Sequence, residues 1–65
     1  MKVLLRNPRR ELDVSPVPSV DRLLESLDLD RDAHLVIRNG TLVPGDARLA
    51  PDDVVEVRPV ISGGA

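Results

Sequence analysis

The chain contains no cysteine, phenylalanine, tryptophan or tyrosine, and only one methionine, one histidine and one lysine among its 65 residues. Without cysteine it has neither disulfides nor thiolate metal sites. Without aromatic rings it has no platform on which bases could stack. Its nine basic residues are scattered and the net charge is −2, so composition also gives no basic footprint for a nucleic acid. Long apolar runs are missing as well: after Met1-Lys2 only Val3-Leu4-Leu5 precedes Arg6, far short of a signal core or a membrane span. The expectation is a cytoplasmic protein with no membrane association. No internal repeat or low-complexity segment is visible.

What is present is aliphatic. Twenty-two residues are Val, Leu or Ile, and they must build the core. Hydrophobic residues make up 42% and charged residues 31%, too apolar a balance for a disordered chain. One small domain is implied, burying only about 60% of the surface that its unfolded chain exposes.

Lys2 to Arg6 alternates with Val3 and Leu5 inward and Leu4 outward. After the turn residues 7–10, Glu11 to Ser15 alternates again with Leu12 and Val14 inward, which predicts an N-terminal hairpin. Pro16 and Pro18 stop the second strand, and Ser19 is placed as a helix N-cap. Val20, Leu23, Leu24 and Leu27 fall on one helical stripe, with Asp21 in the first turn where the helix dipole favours an anion; the helix should end near Leu27 or Asp28. His34 to Arg38 reads as a third strand, turned by Asn39-Gly40 into Thr41–Val43. Leu49 to Asp53 reads as a turn or a single 3₁₀ turn, and Val54 to Val60 as the last strand. Both faces of Leu35-Val36-Ile37 are apolar, so with outward Leu4 an exposed patch is expected on the open face of the sheet. Such a patch marks a partner surface, or is only the face that a small sheet lacks the polar residues to cover.

The order of elements, the helix across a hairpin, the Arg38-Asn39-Gly40 turn followed by Leu42-Val43-Pro44, and the ending Val60-Ile61-Ser62-Gly63-Gly64-Ala65 resemble the ubiquitin-like sulfur carriers, which include thiamine, molybdopterin and tRNA-thiouridine carriers. The resemblance covers essentially the whole chain. It implies an α+β, ubiquitin-like β-grasp fold: a mixed sheet of four to five strands with one helix packed across it, a domain over residues 1–60 and a flexible tail over 61–65. It also implies a protein cosubstrate, not an enzyme, with no bound cofactor. The carboxylate of Gly64 would be adenylated by a ubiquitin-activating-type (E1-like) enzyme that uses ATP, then converted to a thiocarboxylate. Further implied partners are a sulfur donor (a cysteine desulfurase or rhodanese), a sulfur-acceptor enzyme and a processing metalloprotease.

The residues suit that chemistry. With no cysteine, sulfur could be held only on the terminal carboxylate. Gly63 and Gly64 lack Cβ, so the backbone can thread a narrow channel together with Ile61 and Ser62. The stretch from Val60 to Gly64 reaches ~16 Å when extended. Leu4, Ile37 and Val60 are the candidate partner-surface residues. Ala65 departs from the family pattern, since a residue after Gly64 blocks adenylation until it is cut. A trimmed precursor, an engineered cap and a look-alike protein are the three readings of it.

The short length and the Ile-Ser-Gly-Gly ending look closer to tRNA 2-thiouridine or thiamine-thiazole carriers than to molybdopterin ones. Two alternatives stand beside sulfur carriage: a protein modifier joined through Gly64 to target lysines, and a non-catalytic interaction module. Lys2, as the only lysine, leaves little scope for polymeric chains of a modifier. His34 reads as a structural histidine, and Arg9 and Arg10 as solubilising charges. Asp28, Asp30 and Asp32 imitate a calcium loop that fails at Ala33 and Asn39, where Gly and Glu are needed, so they read as a solvated connection.

Overall fold

The computed structural model describes residues 1–6 and 9–60. Strand β1 (Lys2–Leu5) pairs antiparallel with β2 (Arg10–Asp13), Val3 standing opposite Leu12. Both strands end earlier than alternation alone predicts. The pairing nevertheless continues one step, because the Met1 ammonium donates to the Val14 carbonyl and the Val14 amide to the Met1 carbonyl, each at 2.9 Å. Pro16 and Pro18 then carry the chain to the helix.

Helix α1 (Val20–Ser26) is seven residues long, too short to hold itself together by propensity. Its N-terminus is fixed by named partners. Ser19 is extended at φ −150° and its Oγ accepts from the Arg22 amide. The Val20 and Asp21 amides donate to the carbonyls of Ala47 (3.0 Å) and Gly45 (2.9 Å) in the loop after β4. That loop passes so close that a Cβ on Gly45 would lie 2.6 Å from Asp21 Oδ1, so the glycine admits the contact. At the other end, Asp28 takes the left-handed conformation at φ 58°. Its amide donates to Glu25 at 3.1 Å and the Leu29 amide to Leu24 at 2.9 Å, the double bond of a Schellman cap. The helix therefore stops at Ser26, while Leu27 and Leu29 still pack on the core.

The segment expected to be only a solvated connection is more ordered than that. Asp30 accepts from the Asp32 amide (3.1 Å) and caps a 3₁₀ turn at Arg31–Ala33. A plain turn, not a 3₁₀ turn, occupies Leu49 to Asp53, closed by Asp53 N–H to Ala50 O at 3.0 Å.

Strands β3 (His34–Arg38) and β4 (Thr41–Val43) form the second hairpin. Asn39 and Gly40 both have positive φ (49° and 86°), the type I′ geometry that an Asn-Gly pair favours. Strand β5 (Val54–Pro59) inserts between the hairpins, parallel to β1 and antiparallel to β3. The sheet order is β2-β1-β5-β3-β4, five strands as the upper expectation had it. Val3, Val36, Val55 and Val57 face α1, and with Val20, Leu23 and Leu24 they make a core that is entirely aliphatic.

Candidate functional site

The last strand sets the geometry of the candidate site. β5 is the central strand, held by β1 from Val54 to Val57 and by β3 from Val55 to Pro59. Pro59 falls where β1 has already ended, the edge condition under which a strand tolerates a residue with no N–H. The final anchor is the Val60 amide, which donates to the Ala33 carbonyl at 2.7 Å. The last described residue, Val60, thus follows the middle strand of the sheet. Ile61, Ser62, Gly63 and Gly64, the residues expected to thread and react, lie outside the described residues, as does Ala65.

The face of the sheet turned away from α1 carries the candidate partner surface. Register places Glu11, Leu4, Glu56, Ile37 and Leu42 in one row across all five strands. Leu4 lies on this face as its alternation predicts, and Ile37 lies there too, both half-buried. Val60, just past β5, is 42% exposed. Leu42 (60%) and Leu35 (47%) are more exposed than Val60, and Val54 (40%) is nearly as exposed. Sequence reasoning left open which side chain of the Leu35-Val36-Ile37 run turns outward; Val36 is the inward one, and Leu35 and Ile37 both face out. Leu42 was missed, although the two-residue Asn39-Gly40 turn fixes it opposite Ile37 and so onto the same face.

At the centre of this apolar field sits Glu56. Its Oε2 accepts from Arg58 Nε at 2.6 Å and from Arg6 Nε at 2.9 Å. The Arg58 hydrogen bond first, and the Arg6 bond after it, hold the Glu56 carboxyl below its ordinary pKa. At the sheet's end, Asn39 doubles its backbone: its amide donates to the Val54 carbonyl (2.8 Å) while its Oδ1 accepts from the Val54 amide (2.9 Å). Asn39 Nδ2 also donates to Asp53, whose other oxygen accepts from the Ala50 amide at 2.7 Å. The Ala50 bond first, then Asn39, depress the Asp53 pKa.

His34 hydrogen-bonds through Nδ1 to the Asp30 carbonyl at 2.8 Å, the structural role expected of it. A cleft of about 440 Å³ between α1 and the β3–β4 edge is lined by Arg31, Asp32 and His34 among aliphatic residues, but Arg31 is already paired with Asp21. Among the described residues no group of three His, Cys, Asp or Glu is placed to hold a metal ion. None of their helices is long and apolar enough to cross a membrane.

A five-stranded mixed sheet grasping one helix defines a ubiquitin-like β-grasp domain of the α+β class. The sequence matches the family model of the ThiS family over residues 3–64, and the chain belongs to that family. ThiS-family proteins are small sulfur carriers, not enzymes. A search of curated proteins finds no match for this chain.

Proposed function

We propose that this protein carries sulfur as a thiocarboxylate on Gly64 once Ala65 is removed, a processing metalloprotease being the agent suited to that cut. The observation that supports this most is the family match, which spans residues 3–64 and so takes in Gly63 and Gly64. In the reaction, a Gly64 carboxylate oxygen attacks the α-phosphorus of ATP in an E1-like enzyme, and pyrophosphate leaves. The terminal sulfur of a persulfide on a cysteine desulfurase or rhodanese then attacks the acyl carbon and AMP leaves; a second thiol cleaves the resulting acyl disulfide, releasing the Gly64 thiocarboxylate and leaving a disulfide on the donor. The domain binds no cofactor of its own; it docks by the outer sheet face around Leu4, Ile37 and Val60 while Ile61, Ser62 and Gly63 thread the enzyme's channel. The acceptor enzyme works in the cytoplasm, in tRNA 2-thiouridine or thiamine-thiazole formation, with molybdopterin the less favoured product.

The test is intact-mass spectrometry of the chain ending at Gly64 after incubation with the E1-like enzyme, ATP, the persulfide-bearing sulfur donor and a thiol reductant. The expected product is heavier than the acid by the difference between sulfur and oxygen, and the chain still ending at Ala65 stays unchanged. An unaltered mass for the Gly64-ended chain refutes the proposal. Conjugation to lysines of other proteins, with no thiocarboxylate formed, would support the modifier reading instead.

A further inference from the structure

Arg6 and Arg58 share one oxygen of one carboxylate, each through Nε. Among the described residues, the Nη amino groups of neither arginine make a further hydrogen bond, and the two side chains remain 46% and 49% exposed. Two positive charges against one negative charge leave a local excess of one on a protein whose net charge is −2. The sign of this spot is therefore opposite to that of the whole molecule. It lies inside the apolar field: Leu4 and Ile37 stand on either side of Glu56, and Leu35 is paired with Arg58. Arg58 is also two residues before Val60, at the root of the tail.

Any protein that covers Leu35, Leu42 and Val54 must also take these guanidinium groups out of water. A neutral apolar surface would leave the excess charge uncompensated, which is costly, whereas a carboxylate makes charge-assisted hydrogen bonds to planar donors that are already aimed. Glu56 cannot meet that need alone. Its role is to hold both guanidiniums by the Nε edge, so that their orientation is set before docking.

We propose that Arg6 and Arg58 form a carboxylate-reading pair, and that the protein partner docking on the outer sheet face presents one Asp or Glu side chain, ringed by aliphatic residues, to their outward amino groups. This rests on the carrier reading above and names the chemistry that selects the activating enzyme. The pair positions the domain and takes no part in the acyl chemistry. Its loss should therefore appear in KM and not in kcat.

The experiment is ATP–pyrophosphate exchange by the E1-like enzyme at varied concentrations of the chain ending at Gly64. Thermal melts of each variant supply the folded concentration used to obtain KM. Arg58→Gln and the Arg6→Gln/Arg58→Gln pair should raise KM by roughly tenfold or more with kcat nearly unchanged. Arg58→Lys, which keeps the charge but loses the fork and needs no change of sign on the sheet, should recover part of the loss. Arg22→Gln, on the exposed face of α1, should change neither constant. Added salt should raise KM for the unsubstituted chain more than for the double variant. An unchanged KM in the double variant, or a fall in kcat alone, overturns the docking proposal and leaves the carrier reading standing. No exchange with the unsubstituted chain overturns the carrier reading, and this proposal with it.

Discussion

Replacing Asn39 separates two contributions that one residue supplies at the junction of β3, β4 and β5. The first is conformational: at φ 49° a β-carbon-bearing residue is strained, and asparagine tolerates that region better than alanine. The second is a pair of side-chain hydrogen bonds, to the Val54 amide and to Asp53. Asn39→Gly removes the bonds and relieves the backbone, whereas Asn39→Ala removes the bonds and increases the strain. The site is exposed, so water re-solvates the freed Val54 amide and the bond to it sits at the low end of the usual range, about 0.5–1 kcal/mol. The left-handed conformation adds about 1 kcal/mol for alanine. Asn39→Gly should thus lose roughly 0.5–1 kcal/mol and Asn39→Ala roughly 1.5–2 kcal/mol, a large part of the ~3–10 kcal/mol expected for a chain of this size. Urea unfolding followed by circular dichroism reads both, with the slope checked for constancy. Equal losses for the two variants would refute the backbone argument. A glycine variant as stable as the parent would refute the hydrogen-bond argument.

Two further outcomes follow from the fold. Asp28→Gly should stabilise by about 0.5–1 kcal/mol, because glycine takes the left-handed cap position without strain and the Schellman bonds come from the backbone; a lower urea midpoint would show that the Asp28 side chain matters more than its φ. Asp53 and Glu56 both titrate lower in the folded chain than their ordinary 3.8 and 4.5. Their contribution to stability is therefore fully present above the ordinary values, declines as pH falls through them, and is gone below the depressed folded values. Urea midpoints taken from neutral pH down to about pH 3 should fall on the acid side, less steeply in Asn39→Gly, which lacks one cause of the Asp53 shift, and in Arg58→Gln, which lacks the main cause of the Glu56 shift. Parallel profiles in parent and variants would contradict these assignments.

Features carried by local chemistry were legible in the sequence. Ser19 ahead of an apolar stripe marks the helix start, and Asn39-Gly40 marks the turn after β3 and with it the start of β4. The resemblance supplied the fold. Weaker local signals are harder to read: the 3₁₀ turn at Arg31–Ala33 depends on the Asp30 carboxylate capping two residues ahead, which in the sequence alone is indistinguishable from a solvated acid. The Arg6–Glu56–Arg58 cluster could not be read at all, because Arg6 and Glu56 are 50 residues apart and meet only through the parallel pairing of β1 with β5. Alternation says which residues share a face of one strand. It does not say which strand lies next to it.

That limit explains why β5 carries so much of the molecule. Its inward residues, Val55 and Val57, are core, and its outward residues, Val54, Glu56 and Arg58, make the middle of the candidate docking face. Because side chains alternate with period two, a slip of one residue in β5 would drive Glu56 and Arg58 into an aliphatic core and turn two valines to water. Burying those charges without their partners is far more costly than any gain from a shifted hydrogen-bond ladder. The register that builds the core therefore also fixes the arginine pair on the outer face, and the segment just past the same strand is anchored at Val60 by its bond to Ala33. Stability and docking are in this sense one constraint, imposed through the parity of six residues.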